Sequence, residues 1–143
     1  MHEAAILRTL QRAVTAAVEA STSPTLPVSY VQSGFAGGAD KPNGIAWLEV
    51  VWIPNNVQGD LCGDEKNYRG LLRLILHWPN DRSSPYGPLG LIGSIGDYFF
   101  KGRLLDNTVQ CYAVANLTGA ALADQDDTLY PLTVPYQSYR KAL

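Results

Sequence analysis

Ile45-Ala46-Trp47-Leu48-Glu49-Val50-Val51-Trp52-Ile53 is followed by Pro54-Asn55-Asn56-Val57-Gln58-Gly59-Asp60-Leu61-Cys62-Gly63-Asp64-Glu65-Lys66-Asn67, and then by Tyr68-Arg69-Gly70-Leu71-Leu72-Arg73-Leu74-Ile75-Leu76-His77-Trp78. The outer two runs read as strands. The middle run reads as a loop too long for a tight hairpin, and a loop of that length in a compact domain is often functional. Side chains alternate across a strand, so parity sorts each run into two faces. Ala46, Leu48, Val50 and Trp52 share one face of the first; Leu72, Leu74, Leu76 and Trp78 share one face of the second. Neither set holds a charge.

The alternate sets are mixed: Ile45, Trp47, Glu49, Val51 and Ile53, then Arg69, Leu71, Arg73, Ile75 and His77. A third run, Val109–Leu117, divides in the same way. Val109, Cys111, Ala113, Ala115 and Leu117 form its apolar set, and Gln110, Tyr112, Val114 and Asn116 its mixed one. A water-facing sheet face is usually more polar than these mixed sets, and a core does not hold Glu49, Arg69 and Arg73. Interfaces between proteins are enriched in aromatic residues and arginine. The mixed face is therefore expected to carry subunit contacts through Trp47, Glu49, Arg69, Arg73 and Tyr112, with Glu49 near one of the arginines, within the subunit or across a boundary. The plainer alternative is a solvated face with a few apolar residues.

Working outward, Leu7, Leu10, Val14, Ala17 and Val18 recur at helical spacing, with Arg8, Arg12, Thr15 and Glu19 opposite. This predicts a helix over about 3–20, stopped by Ser21-Thr22-Ser23-Pro24. Val28–Val31 suits a short strand, and Gly34–Gly44 a loop. Pro79–Pro88 is a second loop. A second helix over about Pro88–Lys101 has Leu89, Ile92, Ile95 and Phe99 as its inner stripe and Gly102 as its cap. Gly90, Gly93 and Gly96 each weaken it by roughly 1 kcal/mol against alanine, so close backbone packing is expected along them. Thr118–Asp127 is a loop. Leu129–Tyr139 is extended, and Pro131 and Pro135 place it at a sheet edge. The order α-β-β-β-α-β-β predicts one α+β domain over residues 1–143, a mainly antiparallel sheet with two helices packed on one face.

The chain has 143 residues, 46% apolar and 17% charged, with 11 basic and 13 acidic residues and a net charge of −2. Such a chain has room for its own core, and its balance disfavours a general nucleic-acid or membrane-surface binder. No apolar run is long enough to span a bilayer, and Met1-His2-Glu3 lacks the basic start of a signal peptide. Cys62 and Cys111 are expected to be free thiols of a cytosolic chain, Cys111 buried and Cys62 on the polar loop. Phosphate-loop, dinucleotide and nucleophile-elbow signatures are absent from the sequence. His2 lies at the terminus, and His77 is read as structural. Asp60, Cys62, Asp64 and Glu65 form the best candidate cluster, but their spacing does not match a calcium loop, and no base stands near Cys62 in the sequence. The expectation is no catalytic residue, no metal and no cofactor.

The run Gly63-Asp64-Glu65-Lys66-Asn67-Tyr68-Arg69-Gly70-Leu71-Leu72-Arg73-Leu74 resembles small phage proteins of the tail-terminator (tail completion) type, in which a polar loop leads into an Arg-Gly-hydrophobic strand. The later run, a Pro-Gly loop and a helix ending Phe99-Phe100-Lys101-Gly102-Arg103-Leu104, is similar too. The likeness spans about residues 3–117; the glycine-rich second helix and the proline-rich segment from Leu129 depart from it. It implies a structural virion protein, not an enzyme. Its subunits would form a homo-oligomeric ring, a hexamer in that family. The ring caps the tube of a long non-contractile tail and docks to the head–tail connector. DNA passes through its channel without sequence-specific binding, and no membrane is involved. The protein would be assembled in the host cytoplasm and sit at the neck end of the tail. Asn55, Asn56, Asp60, Asp64, Glu65 and Lys66 would then contact tail tube or connector. Two alternatives stand beside it: a head–tail connector component of the neck, and a small-ligand-binding or hydrolytic α+β domain using the Asp60–Glu65 loop.

Overall fold

The computed structural model describes residues 2–30, 34–35, 40, 42, 44–54, 58–59, 65–80, 86–106, 108–117, 122–123 and 127–141. Among them are helix α1 (His2–Glu19), strands β1 (Val28–Tyr30), β2 (Gly34–Phe35), β3 (Trp47–Pro54), β4 (Gln58–Gly59) and β5 (Glu65–Pro79), helix α2 (Tyr86–Tyr98), and strands β6 (Leu104–Leu105), β7 (Val109–Cys111), β8 (Asn116–Leu117), β9 (Leu122–Ala123) and β10 (Asp127–Lys141). The fold is α+β. One sheet runs β2-β1-β3-β5-β10-β7-β6, with β4 added to β5 and with β8 and β9 added to β10. Its pairings are antiparallel apart from β1 with β3.

α1 forms on the expected period. Ile6, Thr9, Leu10, Ala13, Val14, Ala17 and Val18 are buried, whereas Leu7 is half-buried. The helix stops where the Ser21 hydroxyl donates to the Val18 carbonyl at 2.6 Å, satisfying an acceptor the helix leaves open. The parity reading of β3 and β5 holds in register: Leu48 faces Leu76, Val50 faces Leu74 and Trp52 faces Leu72. These side chains join Ile6, Leu10, Val14, Leu91, Ile92, Ile95, Phe99, Val109, Cys111, Leu132, Val134 and Tyr136 in one core.

The structure corrects several expectations. The segment from Leu129 is not an edge. β10 is central, pairing with all of β5 on one side and with β9, β8 and β7 in turn on the other. Those three short partners meet β10 at residues 128–129, 132–133 and 136–137, so Pro131 and Pro135 fall in the gaps between them. There a missing N–H costs least. Val109–Leu117 is not one strand: it breaks after Cys111 and resumes at Asn116, leaving Leu117 exposed. Gly34–Phe35 and Leu122–Ala123 are short strands inside stretches expected to be loops.

α2 runs Tyr86–Tyr98, and its buried residues are Pro88, Leu91, Ile92 and Ile95. Leu89 points outward, because Pro88 and Leu91 take the inner stripe that Leu89 was assigned. A Cβ on Gly96 would touch the Leu132 methyls at 3.4 Å, but one on Gly90 or Gly93 would meet open space. Close packing therefore explains one of the three helix glycines. Gly102 does not cap α2. At φ +91° it makes the turn into β6, donating its N–H to the Cys111 carbonyl at 2.6 Å.

Candidate functional site

Register across β3, β5 and β10 assembles the mixed face as a series of rows. Trp47, His77 and Leu129 make one row and Glu49, Ile75 and Pro131 the next. Val51, Arg73 and Thr133 follow, then Ile53, Leu71 and Pro135. Arg69 and Gln137 extend the series on β5 and β10. Val51, Leu71, Ile75, Pro131 and Pro135 are half-buried, and Ile53 is exposed. The face is thus a largely apolar surface studded with three charged residues.

At one end Trp47 is buried at 8% exposure. Its ring stacks on His77 with centroids 3.8 Å apart and planes at 11°, and Phe35 meets it edge-on at 5.3 Å. Trp47 is therefore packed within the subunit and does not present an aromatic anchor outward. The stack leaves His77 at 7% exposure. Its Nε2 lies 3.2 Å from Glu49 Oε1, within hydrogen-bond reach. Its Nδ1 stands 3.8 Å from Asp127 Oδ2, beyond hydrogen-bond reach. Within the subunit Glu49 is thus paired with His77 and not with Arg69 or Arg73. Glu49 lies one row from Arg73 and one row from His77, and the flat imidazole held by Trp47 is its partner.

At the other end Arg69 is exposed, and its guanidinium lies 5.5 Å from the centroid of the half-exposed Tyr112 ring. Such contacts contribute about 0.5–1 kcal/mol at exposed sites. The neighbouring Gln137 amide donates to Gln110 Oε1 at 3.1 Å. Between the two ends stands Arg73. It is half-buried between Val51 and Thr133, and its Nε is buried without a hydrogen-bond partner. A buried donor left unsatisfied costs about 1–3 kcal/mol.

Of the five residues expected to act together, Arg69 and Tyr112 meet, Arg73 stands alone, Glu49 pairs elsewhere and Trp47 is packed away. Sequence reasoning did not include Thr133, Pro131, Pro135 and Gln137, which complete the face. The signal for them was the alternation of β10, whose other set (Tyr130, Leu132, Val134, Tyr136) is buried. Asn55, Asn56, Asp60, Cys62 and Asp64 lie outside the described residues. Glu65 and Lys66 belong to β5, opposite Lys141 and Arg140 of β10 in register, not to a free loop.

A cavity of about 230 Å³ opens between α1 and the sheet, lined by Glu3, Ile6, Trp52, Pro54, Tyr68, Arg69 and Tyr136. In it the Trp52 indole N–H donates to the Tyr136 hydroxyl at 2.6 Å. Burial pushes that phenol up from its ordinary value, against the lowering effect of the Trp52 donor. Cys111 is buried on the core side, as its parity predicted, and burial raises its thiol to about 11, opposed by the Arg103 charge. Among the described residues no group of three or more His, Cys, Asp or Glu side chains has the arrangement to hold a metal ion. Nor is any helix among them long and apolar enough to cross a membrane.

No protein-family model and no curated protein matches the chain. Four solved chains do. One of them, which carries no description of activity, superposes with a TM-score of 0.72 at 19% identity, the match covering 96% of each chain. A likeness at that identity extends to the fold alone.

Proposed function

We propose that this chain is a structural subunit of the tail-terminator type: a copy in a ring that caps a phage tail tube and docks to the head connector. In this reading both helices cover the apolar face of the sheet and leave the mixed face for contacts with neighbours. The observation that carries it is Arg73, a half-buried cation whose Nε lacks a partner at the centre of a surface made by Val51, Leu71, Ile75, Pro131 and Pro135. What supports the reading is the apolar character of the half-buried side chains around Arg73 on a face that water would otherwise meet. Enzyme chemistry is not part of this reading.

Negative-stain electron microscopy of the purified protein tests the proposal. The parent should form closed rings, and Arg73→Ala should remain folded by circular dichroism but form none. A charge left unpaired at a buried interface costs on the order of 2–5 kcal/mol, whereas an exposed pair contributes about 0–1 kcal/mol. Unaltered rings in the variant would make the face a solvated one. The neighbouring reading, a connector component of the neck, makes a similar ring and separates from this one by whether the ring binds tail tubes or portal-side assemblies.

A further inference from the structure

The apolar face of the sheet stays partly open at one corner. Leu48, Val50, Leu72, Leu74 and Leu76 on that face are buried. Trp52 and Tyr68 continue the same parity on β3 and β5, yet both are half-buried. They line the cavity of about 230 Å³, together with Glu3 and Ile6 of α1 and Tyr136 of β10. Sites for drug-sized ligands measure roughly 300–1,000 Å³, so this one suits a compact ligand. Its aromatic wall is held in place. The Trp52 indole N–H donates to the Tyr136 hydroxyl at 2.6 Å, which fixes the two rings relative to each other. Gly70, opposite Tyr136 in register, leaves room for the phenol: a Cβ there would stand 2.5 Å from the hydroxyl oxygen. Burial moves that phenol further from ionisation, so the ring stays neutral.

Two charged residues border the cavity, Glu3 and Arg69. Arg69 has the opposite parity to Tyr68, and its guanidinium lies over the Tyr112 ring. Its charge is therefore directed to the mixed face. Glu3 is half-buried and pairs with no cation among the described residues. A carboxylate in the first turn of a helix already suits the helix dipole, so Glu3 alone calls for no ligand. Beside it stand three aromatic rings, whose faces attract cations. We infer that this corner binds a small organic ammonium ion, held among Trp52, Tyr68 and Tyr136 with Glu3 as its counter-charge. The inference is independent of the reading of the chain as a ring subunit. An anion would meet Glu3 as a like charge, and a neutral molecule would leave Glu3 unused. A quaternary ammonium keeps its charge without needing hydrogen-bond acceptors, which suits a cavity walled mainly by apolar and aromatic groups. The same chemistry is offered by a free ammonium and by a methylated lysine of another chain.

Titration of the full chain with choline, followed through the Trp52 indole N–H resonance in NMR spectra, tests the site. The resonance should shift and saturate. 3,3-Dimethylbutan-1-ol, which has the shape of choline without its charge, should bind roughly 5- to 30-fold more weakly. Glu3→Gln should weaken choline and leave the neutral alcohol unchanged. Tyr68→Leu should weaken choline by a similar factor, and Tyr68→Phe, which keeps the ring, should restore it. A trimethyllysine peptide that binds more tightly than choline would make another chain the source of the ammonium; a weaker one would make it a free ion. The absence of a saturable shift with choline overturns the site. So do equal affinities for choline and the alcohol, or an affinity for choline that Glu3→Gln leaves unchanged.

Discussion

Glu49 and Arg73 sit on the same face of the same sheet, one row apart, and their surroundings differ. Glu49 has a buried imidazole at 3.2 Å, held flat by Trp47, which Phe35 backs in turn. Arg73 has neighbours of the opposite kind, Val51 and Thr133, and a buried Nε that bonds to nothing. The first end is filled by stacked rings yet leaves His77 Nδ1 buried without a hydrogen-bond partner, as the middle leaves Arg73 Nε. A sheet face need not be wholly core or wholly surface.

Substitutions sharpen the contrast between the core and the mixed face. The largest effect belongs to the core. Leu74→Ala should cost about 2–5 kcal/mol, read from urea unfolding, because Leu74 is fully buried. Its neighbour Ile75→Ala, half-buried on the mixed face, should cost roughly 0.5–1.5 kcal/mol in the free subunit. Equal losses would erase the distinction between the faces. Gly70→Ala comes next. Its Cβ would stand 2.5 Å from the Tyr136 hydroxyl and 2.7 Å from the Ile53 carbonyl oxygen, so overpacking should cost about 1–3 kcal/mol and disturb the Trp52–Tyr136 bond seen by tryptophan fluorescence.

A pH scan probes the core side. Cys111 has its thiol raised from 9.0 to about 11 by burial, with Arg103 opposing. The folded state holds that proton while the unfolded chain releases it. Stability should therefore be unaffected by this thiol below about pH 9 and decline as pH rises from 9 toward 11. The Tyr136 phenol, also raised, adds a decline of the same sign. Cys111→Ala should flatten the Cys111 part of the slope; an unchanged slope would mean that the thiol ionises freely in the fold. The smallest effect has the opposite sign. Gly90→Ala, with open space around its Cβ, should stabilise the subunit by up to about 1 kcal/mol, measured as a higher melting temperature.

Local pattern made α1, β3 and β5 legible, because their apolar periods are long and unbroken. Parity alone put Leu48, Val50, Leu72, Leu74, Leu76 and Cys111 in the core. Features set by distant chain segments were not legible. The prolines of β10 argue locally for an edge, and only the spacing of β7, β8 and β9 makes a central place tolerable. Phe35, remote in sequence, is what packs Trp47 away from solvent. Glu49 had two arginines at the right parity and took a histidine, because a stacked, immobile ring offers a better-placed partner than a long flexible side chain. In α2 the helical period was right but its phase was off, since Pro88 and Leu91 share the buried stripe and Leu89 does not.

The central place of β10 also governs how the molecule comes together. β5 and β10 are paired along fifteen residues each, and those pairs join positions separated by about a third to a half of the chain. In the sheet order of the described strands, β10 lies between the β1–β3–β5 half and the β7–β6 half. Contacts between residues so distant in sequence require costly loop closure before they return any stabilisation, and chains dominated by them fold slowly. Until β10 inserts, β5 exposes an apolar edge open to pairing with another chain. Insertion of residues 127–141 is therefore the step at which productive folding and aggregation are expected to part.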